Sequence, residues 1–201
     1  MFSQNQEEQW ITDYFGSYVG ALLDLGANDG VTLSNSRAAI LQGWWGTLVE
    51  PSPKAFDRLS ALYPPHGKVE VHNVAISEIS GQMKLYESGT HLNNGDVGIL
   101  STIVHDERDK WAPTTHFTPQ WVEGITFHEL LRRSRFAEFD LVSIDIEGMD
   151  QTALVQMDLT SMGVNMLIIE NNVDMDFVKH FCHVQGLKPY ATNQENTAFA
   201  R

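Results

Sequence analysis

Residues 22–30 read "LLDLGANDG". An apolar run ends in Asp24 and breaks into a turn framed by Gly26 and Gly30. A dinucleotide-binding turn would read G-x-G-x-x-G, with a middle glycine that lets the backbone approach a pyrophosphate. That glycine is missing, and no Gly-Lys-Ser/Thr follows to make a P-loop. The turn instead suits a ligand with an amino end. Asp24 can accept from an ammonium, directly or through water, and the backbone at Gly26 and Ala27 can approach the ligand closely. About 20 residues past the turn, "GTLVEPSP" ends a second apolar run in Glu50, where a carboxylate can accept both hydroxyls of a ribose.

An ammonium and a ribose without a pyrophosphate describe S-adenosylmethionine. The opposing reading is a pair of turn glycines beside two solvated acids. A second constellation lies downstream, in "SIDIEG" and "LIIENN". Asp145, Glu147, Glu170 and Asn171 offer hard oxygen atoms at two strand ends. Asp145, Glu170 and Asn171 are candidate ligands for a divalent cation such as magnesium. Methyl transfer from a sulfonium is a direct displacement governed by alignment, and a hydroxyl acceptor must also lose a proton. A metal or a base can take that role. Asp145 and Glu147 are candidates, as are the histidines of residues 88–121, His91, His105 and His116, with His105 first. His180 and His183, three apart on a late helix, are weaker metal candidates.

The chain has 201 residues, enough for one domain with a substantial core. Its 13 Lys and Arg against 26 Asp and Glu leave a formal net charge of -13. That charge disfavours nucleic acid and anionic membrane as partners. The lone Cys182 excludes an internal disulfide framework and reads as core. "MFSQNQEEQW" lacks the pattern of a secretion signal, and no apolar run is long enough for a membrane span. The expectation is a cytoplasmic protein acting on a small molecule; its oligomeric state is not written in the sequence.

The elements that must position these groups alternate. Trp10, Ile11, Tyr14, Phe15 and Tyr18 share one helical face, so residues 1–20 read as a helix packing on the core. Residues 21–201 form a single domain. Strands are expected at 21–25, within "GTLVEPSP", "KVEVHNVAIS", "SGQMKLYES", "FDLVSIDIEG" and "NMLIIENN", and at 187–192 and 196–200. Helices are expected within "SNSRAAILQGW", capped by Ser34 or Asn35, within "KAFDRLSALY", "ITFHELLRRSRF" and "DQTALVQM", and near 174–185. Thr126 and Glu129 have capping-box spacing. Residues 88–121 break the rhythm and read as a variable, mobile lid or acceptor segment. Alternating strands and helices predict a mostly parallel sheet covered on both faces. Asp24, Glu50, Asp145 and Glu170 should converge at its carboxyl edge.

Taken together, "LDLGANDGVTLSNS", "GTLVEPSPKAFDRL", "VEVHNVAIS", "LSTI", "ITFHELL", "LVSIDIEGMD" and "LIIENN" resemble the FkbM family of S-adenosylmethionine-dependent methyltransferases. The resemblance runs from about Leu22 to the closing "NTAFAR". It implies an α/β class I methyltransferase fold, a Rossmann-like sandwich whose seven-stranded sheet is mostly parallel with an antiparallel C-terminal strand. It also implies O-methylation, often of sugars or other hydroxylated metabolites. By position, Asp24, Gly26, Ala27, Asn28 and Gly30 resemble the methionine-binding turn, and Glu50 the ribose carboxylate with Pro51 and Ser52 beside it. Asn73, Val74 and Ala75 resemble the adenine edge, and Asp145 the acid beside the sulfonium. The chain departs from the family at "TFHEL", where His128 replaces a common acid, and across 88–121, which matches only at "LST". N- or carboxyl-methylation and a catalytically silent cofactor-binding partner domain are the alternatives.

Overall fold

The computed structural model describes residues 1–89, 91–92 and 97–201; Thr90 and 93–96, part of the expected lid, lie outside the described residues. In chain order the strands are β1 (Ala21–Leu25), β2 (Trp45–Val49), β3 (Val69–His72), β4 (Ala75–Ile76) and β5 (Gly81–Ser88). They continue with β6 (Phe117–Ile125), β7 (Leu141–Ile144), β8 (Met166–Glu170), β9 (Lys188–Thr192) and β10 (Asn196–Ala200). The helices are α1 (Glu7–Phe15), α2 (Arg37–Leu41), α3 (Pro53–Leu62), α4 (His105–Trp111), α5 (Phe127–Arg133), α6 (Asp150–Leu154) and α7 (Met175–Val184).

Seven strands form one sheet in the order β3-β2-β1-β7-β8-β10-β9. The first five are parallel, and β10 runs antiparallel between β8 and β9. The central strands are near-continuous apolar runs because both faces are covered. Successive side chains on β1 go to opposite layers: Leu22 packs with Ile11, Ala39 and Leu59 of α1, α2 and α3. Leu23 and Leu25 pack with residues of α5, α6 and α7, among them Phe127, Leu154 and Val178. Cys182 is buried in this second layer, where burial pushes its thiol up to about 12. Among the described residues no helix is long and apolar enough to cross a membrane.

Two expectations need correction. The run "KVEVHNVAIS" is not one strand; it breaks at Asn73, and β4 leaves the main sheet to pair with β6. Residues 88–121 are not structureless either. They contain α4 and the start of β6, which pairs antiparallel with β5 along eight residues from Gly81↔Gly124 to Ser88↔Phe117. The apolar periodicity fails there for a physical reason. α4 buries none of its residues, and β6 leaves Trp121 69% exposed.

Candidate functional site

The turn after β1 is held from below. The amides of Gly26 and Ala27 both donate to the carbonyl of Val49, at 3.0 Å each, and Asn28 N donates to Glu50 Oε2 at 3.0 Å. Gly26 has φ +90°, and Gly30, with φ +74°, would press a Cβ 2.7 Å from Leu59 Cδ1. These positions therefore require glycine. Asp24 is buried and accepts from Ser36 Oγ at 2.5 Å. Burial lifts its carboxyl to about 6, partly offset by hydrogen bonds from Ser36 and Ser143. It is not among the residues that line the two cavities described below. Asn28 lines both cavities, and its buried Oδ1 has no hydrogen-bond partner among the described residues.

Glu50, one residue past β2, is buried with each carboxylate oxygen on a backbone amide: Oε1 on Ser52 N at 2.7 Å and Oε2 on Asn28 N. Burial raises it to about 8 despite those two bonds, with further repulsion from Asp24 and Glu87. Asn73 Nδ2 donates to the carbonyls of Glu50 (2.8 Å) and Pro51 (3.2 Å), bracing this wall rather than lining the cavity. Ser52 caps α3 and donates to Glu87 Oε1 at 2.7 Å, and Glu87 also pairs with Lys54 at 2.7 Å. Sequence reading missed Glu87. Its signal was the two-residue period of β5, which places it on the same inward face as Leu85.

The loop after β7 is built around Asp150, also missed. Its Oδ1 accepts from Ile146 N (3.0 Å) and its Oδ2 from Gly148 N (3.1 Å). Glu147 sits at φ +51° in this loop, and its carbonyl accepts from Thr102 Oγ1 at 2.7 Å. The short "LST" match thus seats the 88–121 segment on the acid loop. Burial raises Asp145 to about 7, reinforced by the charges of Asp150 and Asp24. Glu147 is raised well above the usual carboxylate range by burial and by Asp145, and Glu170 reaches about 10 through burial, Asp145 and Glu147.

Two cavities meet at this edge. The first is lined by Glu50, Pro51, Val74, Ala75, Ile76 and Leu85 among others. The second, larger and open to solvent, is lined by Trp111, His91, Glu170, Glu195 and Gln4 among others. Both include Gly26, Asn28, Ile99, Asp145 and Glu147. The N-terminal segment joins the second cavity because Ser3 bridges to Leu33 and the buried Glu7 accepts from Asn193 Nδ2 (2.7 Å) and Asn196 Nδ2 (2.9 Å).

His105 and Asn171 also lie away from both cavities. His105 begins α4 on its outer face, 3.1 Å from Asp109 Oδ2 and 2.7 Å from Arg108 Nη2, and lines neither cavity. Asn171 turns toward the β9–β10 hairpin. Its Nδ2 donates to Asn193 O at 3.0 Å and its Oδ1 accepts from Thr197 Oγ1 at 2.7 Å. The expected Asp145–Glu170–Asn171 metal set therefore does not form. The acids that do cluster are Asp145, Asp150 and Glu170, within 4.8 Å of one another. Asp150 is fully buried, with both oxygens engaged by backbone amides. This set does not fit magnesium, which needs near-octahedral oxygen ligation with room for water.

The lining of the first cavity matches the chemistry of S-adenosylmethionine in three respects. Asn28 Oδ1 is a buried acceptor in want of a donor. Glu50 has lone pairs left for a diol, and Val74, Ala75 and Ile76 offer an apolar wall to a base. Comparison with known proteins agrees with this geometry. Residues 24–194 match the family model described as the Methyltransferase FkbM domain. No protein of curated function matches the sequence. Among solved structures, the ribosomal protein L11 methylase from Lactobacillus delbrueckii subsp. bulgaricus is similar with a TM-score of 0.50 and 11% identity, over 98% of this chain and 77% of that chain. The METTL16 MTase domain is similar with a TM-score of 0.51 and 9% identity, over 96% of this chain and 65% of that chain. At such identities these likenesses speak to fold alone, a class I Rossmann-like methyltransferase sandwich. The family match covers most of the chain, from the glycine turn through both acid clusters, and the chain belongs to the FkbM family of S-adenosylmethionine-dependent methyltransferases.

Proposed function

We propose that this methyltransferase transfers its methyl group to a hydroxyl of a small molecule, a sugar or another hydroxylated metabolite. The observation that carries the reading is the meeting of two cavities at Gly26, Asn28, Asp145 and Glu147. One cavity has cofactor chemistry, and the other can enclose an acceptor. When bound, the cofactor supplies a methyl group on a sulfonium and leaves as a thioether. Asn28 and the glycine turn would hold its amino-acid end, and Glu50 its ribose. Asp145 stands at the junction with a carboxyl raised to about 7. It is suited to take the hydroxyl proton near neutral pH, where a base works best. Glu147, beside it, would orient the acceptor. No metal enters this scheme.

An acid-lined cavity and a net charge of -13 favour a small acceptor over nucleic acid or a membrane surface. A buried free Cys182 is compatible with a reducing, cytoplasmic setting. We read residues 1–20 as a wall of the acceptor cavity and the described residues of 88–121 as its cover. The test is calorimetry with S-adenosylmethionine and S-adenosylhomocysteine. The expected affinity is about 1–10 μM, about −7 to −8 kcal/mol. Folded protein giving no heat with either ligand overturns the reading. Product analysis after transfer of a labelled methyl then separates oxygen from nitrogen or carboxylate as the acceptor atom.

A further inference from the structure

The second cavity is charged on one side only. Asp145, Glu147, Glu170 and Glu195 line it, and among the described residues no lysine or arginine does. Lys110 of α4 stands at its edge: its Nζ pairs with Glu107 at 3.1 Å, lies 5.3 Å from the Trp111 ring centroid, and its charge also acts on Glu147 and Glu170. The cofactor's sulfonium does not account for all four acids. Asp145 and Glu147 lie at the junction within its reach, whereas Glu170 and Glu195 line the second cavity and not the first.

One further feature calls for a ligand. Nε1 of Trp111, a residue of the cavity wall, is buried without an acceptor among the described residues. The cavity therefore carries four carboxylates against a single lysine at its edge, and an indole N–H without an oxygen among the described residues.

We propose that the acceptor is an amino alcohol or amino sugar, held by its ammonium on Glu170 and Glu195 with its hydroxyl turned to Asp145. This rests on the methyltransferase reading above and names its substrate class. A protonated amine has no lone pair and cannot attack a methyl group, so the charged nitrogen is the handle and a separate hydroxyl is the nucleophile. The hydroxyl oxygen bonds to the methyl carbon, the carbon–sulfur bond breaks with its electron pair left on sulfur, and the hydroxyl proton passes to Asp145. The N–H of Trp111 can donate to a second oxygen of the acceptor.

The experiment uses full-length protein saturated with S-adenosylhomocysteine. Three probes of matched size are titrated by ligand-observed NMR: ethanolamine, N-acetylethanolamine and glycolate. Ethanolamine is expected to bind about tenfold more tightly than either of the others, as a desolvated charge pair warrants. Glu195→Gln should reduce that preference, while the heat of S-adenosylhomocysteine binding in the same sample stays unchanged and reports intact folding. Equal binding of N-acetylethanolamine or glycolate, or no binding of ethanolamine, overturns the proposal. If S-adenosylhomocysteine binds and the preference for ammonium is absent, this inference alone fails. If it does not bind, the cofactor reading fails first.

Discussion

Gly26 lies against the backbone of Asp145 so closely that a Cβ at Gly26 would stand 1.7 Å from the Asp145 carbonyl oxygen. The first glycine of the cofactor turn is thus also the contact that sets the spacing between β1 and the acid loop. Gly26→Ala must separate the two segments and also strain a backbone at φ +90°. It should cost about 3 kcal/mol or more and lower Tm by about 6–12 °C. Gly163→Ala, at φ +74° with nothing within 4 Å, is the control and should cost about 1 kcal/mol. Equal melting temperatures for the two variants would remove the close-approach argument.

Glu50→Ala should weaken cofactor binding by about 1.5–3 kcal/mol, because two ribose hydroxyls lose a charged acceptor. Glu50→Gln should cost less. Glu50 carries a proton up to about pH 8 when free, and donor hydroxyls favour its ionised form. Affinity in the wild type should therefore tighten as pH rises from 6 to 9, and the Gln variant should lose that slope. Calorimetry across this range measures both effects.

Asp145→Asn should lower kcat about 10²–10⁴-fold with cofactor affinity largely kept. A base must be ionised to accept a proton, so wild-type kcat should climb with pH through about 7 and then level off. A variant with undiminished kcat would remove Asp145 from the chemistry.

Glu170→Gln should stabilise the protein while harming acceptor binding. The folded carboxyl lies near 10 and its ordinary value near 4.5, so its contribution to stability falls as pH rises between those values. The gain from glutamine is then near zero at pH 4.5 and grows toward pH 8. Because the group is partly open to the cavity, about 1 kcal/mol is a fair size, or about 2–4 °C in Tm. Thermal scans at pH 5 and pH 8 give the comparison, and a gain that shrinks with pH contradicts it.

Millimolar EDTA should leave turnover unchanged, since Asn171 faces the hairpin and Asp150 is engaged by backbone amides. Loss of activity in chelator, restored by magnesium, would instead require the acid cluster to open around a cation.

The sheet was legible because its strands are buried on both faces and write themselves as apolar runs ending in acids. That pattern located Asp24, Glu50, Asp145 and Glu170 at one edge. It could not say which way each side chain turns. Neighbours on an extended chain point to opposite sides, so Glu170 and the following Asn171 do not face one cavity. His105 failed for a related reason. On α4 the residues turned toward the acid loop are Glu107 and Lys110, and His105 pairs with Asp109 one turn along the other side. α4 itself has no buried stripe to betray it. Asp150 and Glu87 act on backbone or on a neighbouring side chain, contacts that leave no periodicity.

Gln4 and Glu195 share the wall of one cavity although nearly the whole chain lies between them. The lining of the cofactor cavity spans only Gly26 to Met149. The two halves of the site therefore differ in when they can exist. Contacts between distant parts of a chain are entropically the hardest to close. During synthesis every residue that lines the first cavity is made before the last strands, whereas the second waits for the hairpin that receives Glu7. A chain cut before that hairpin keeps every residue lining the donor's cavity and loses part of the recipient's.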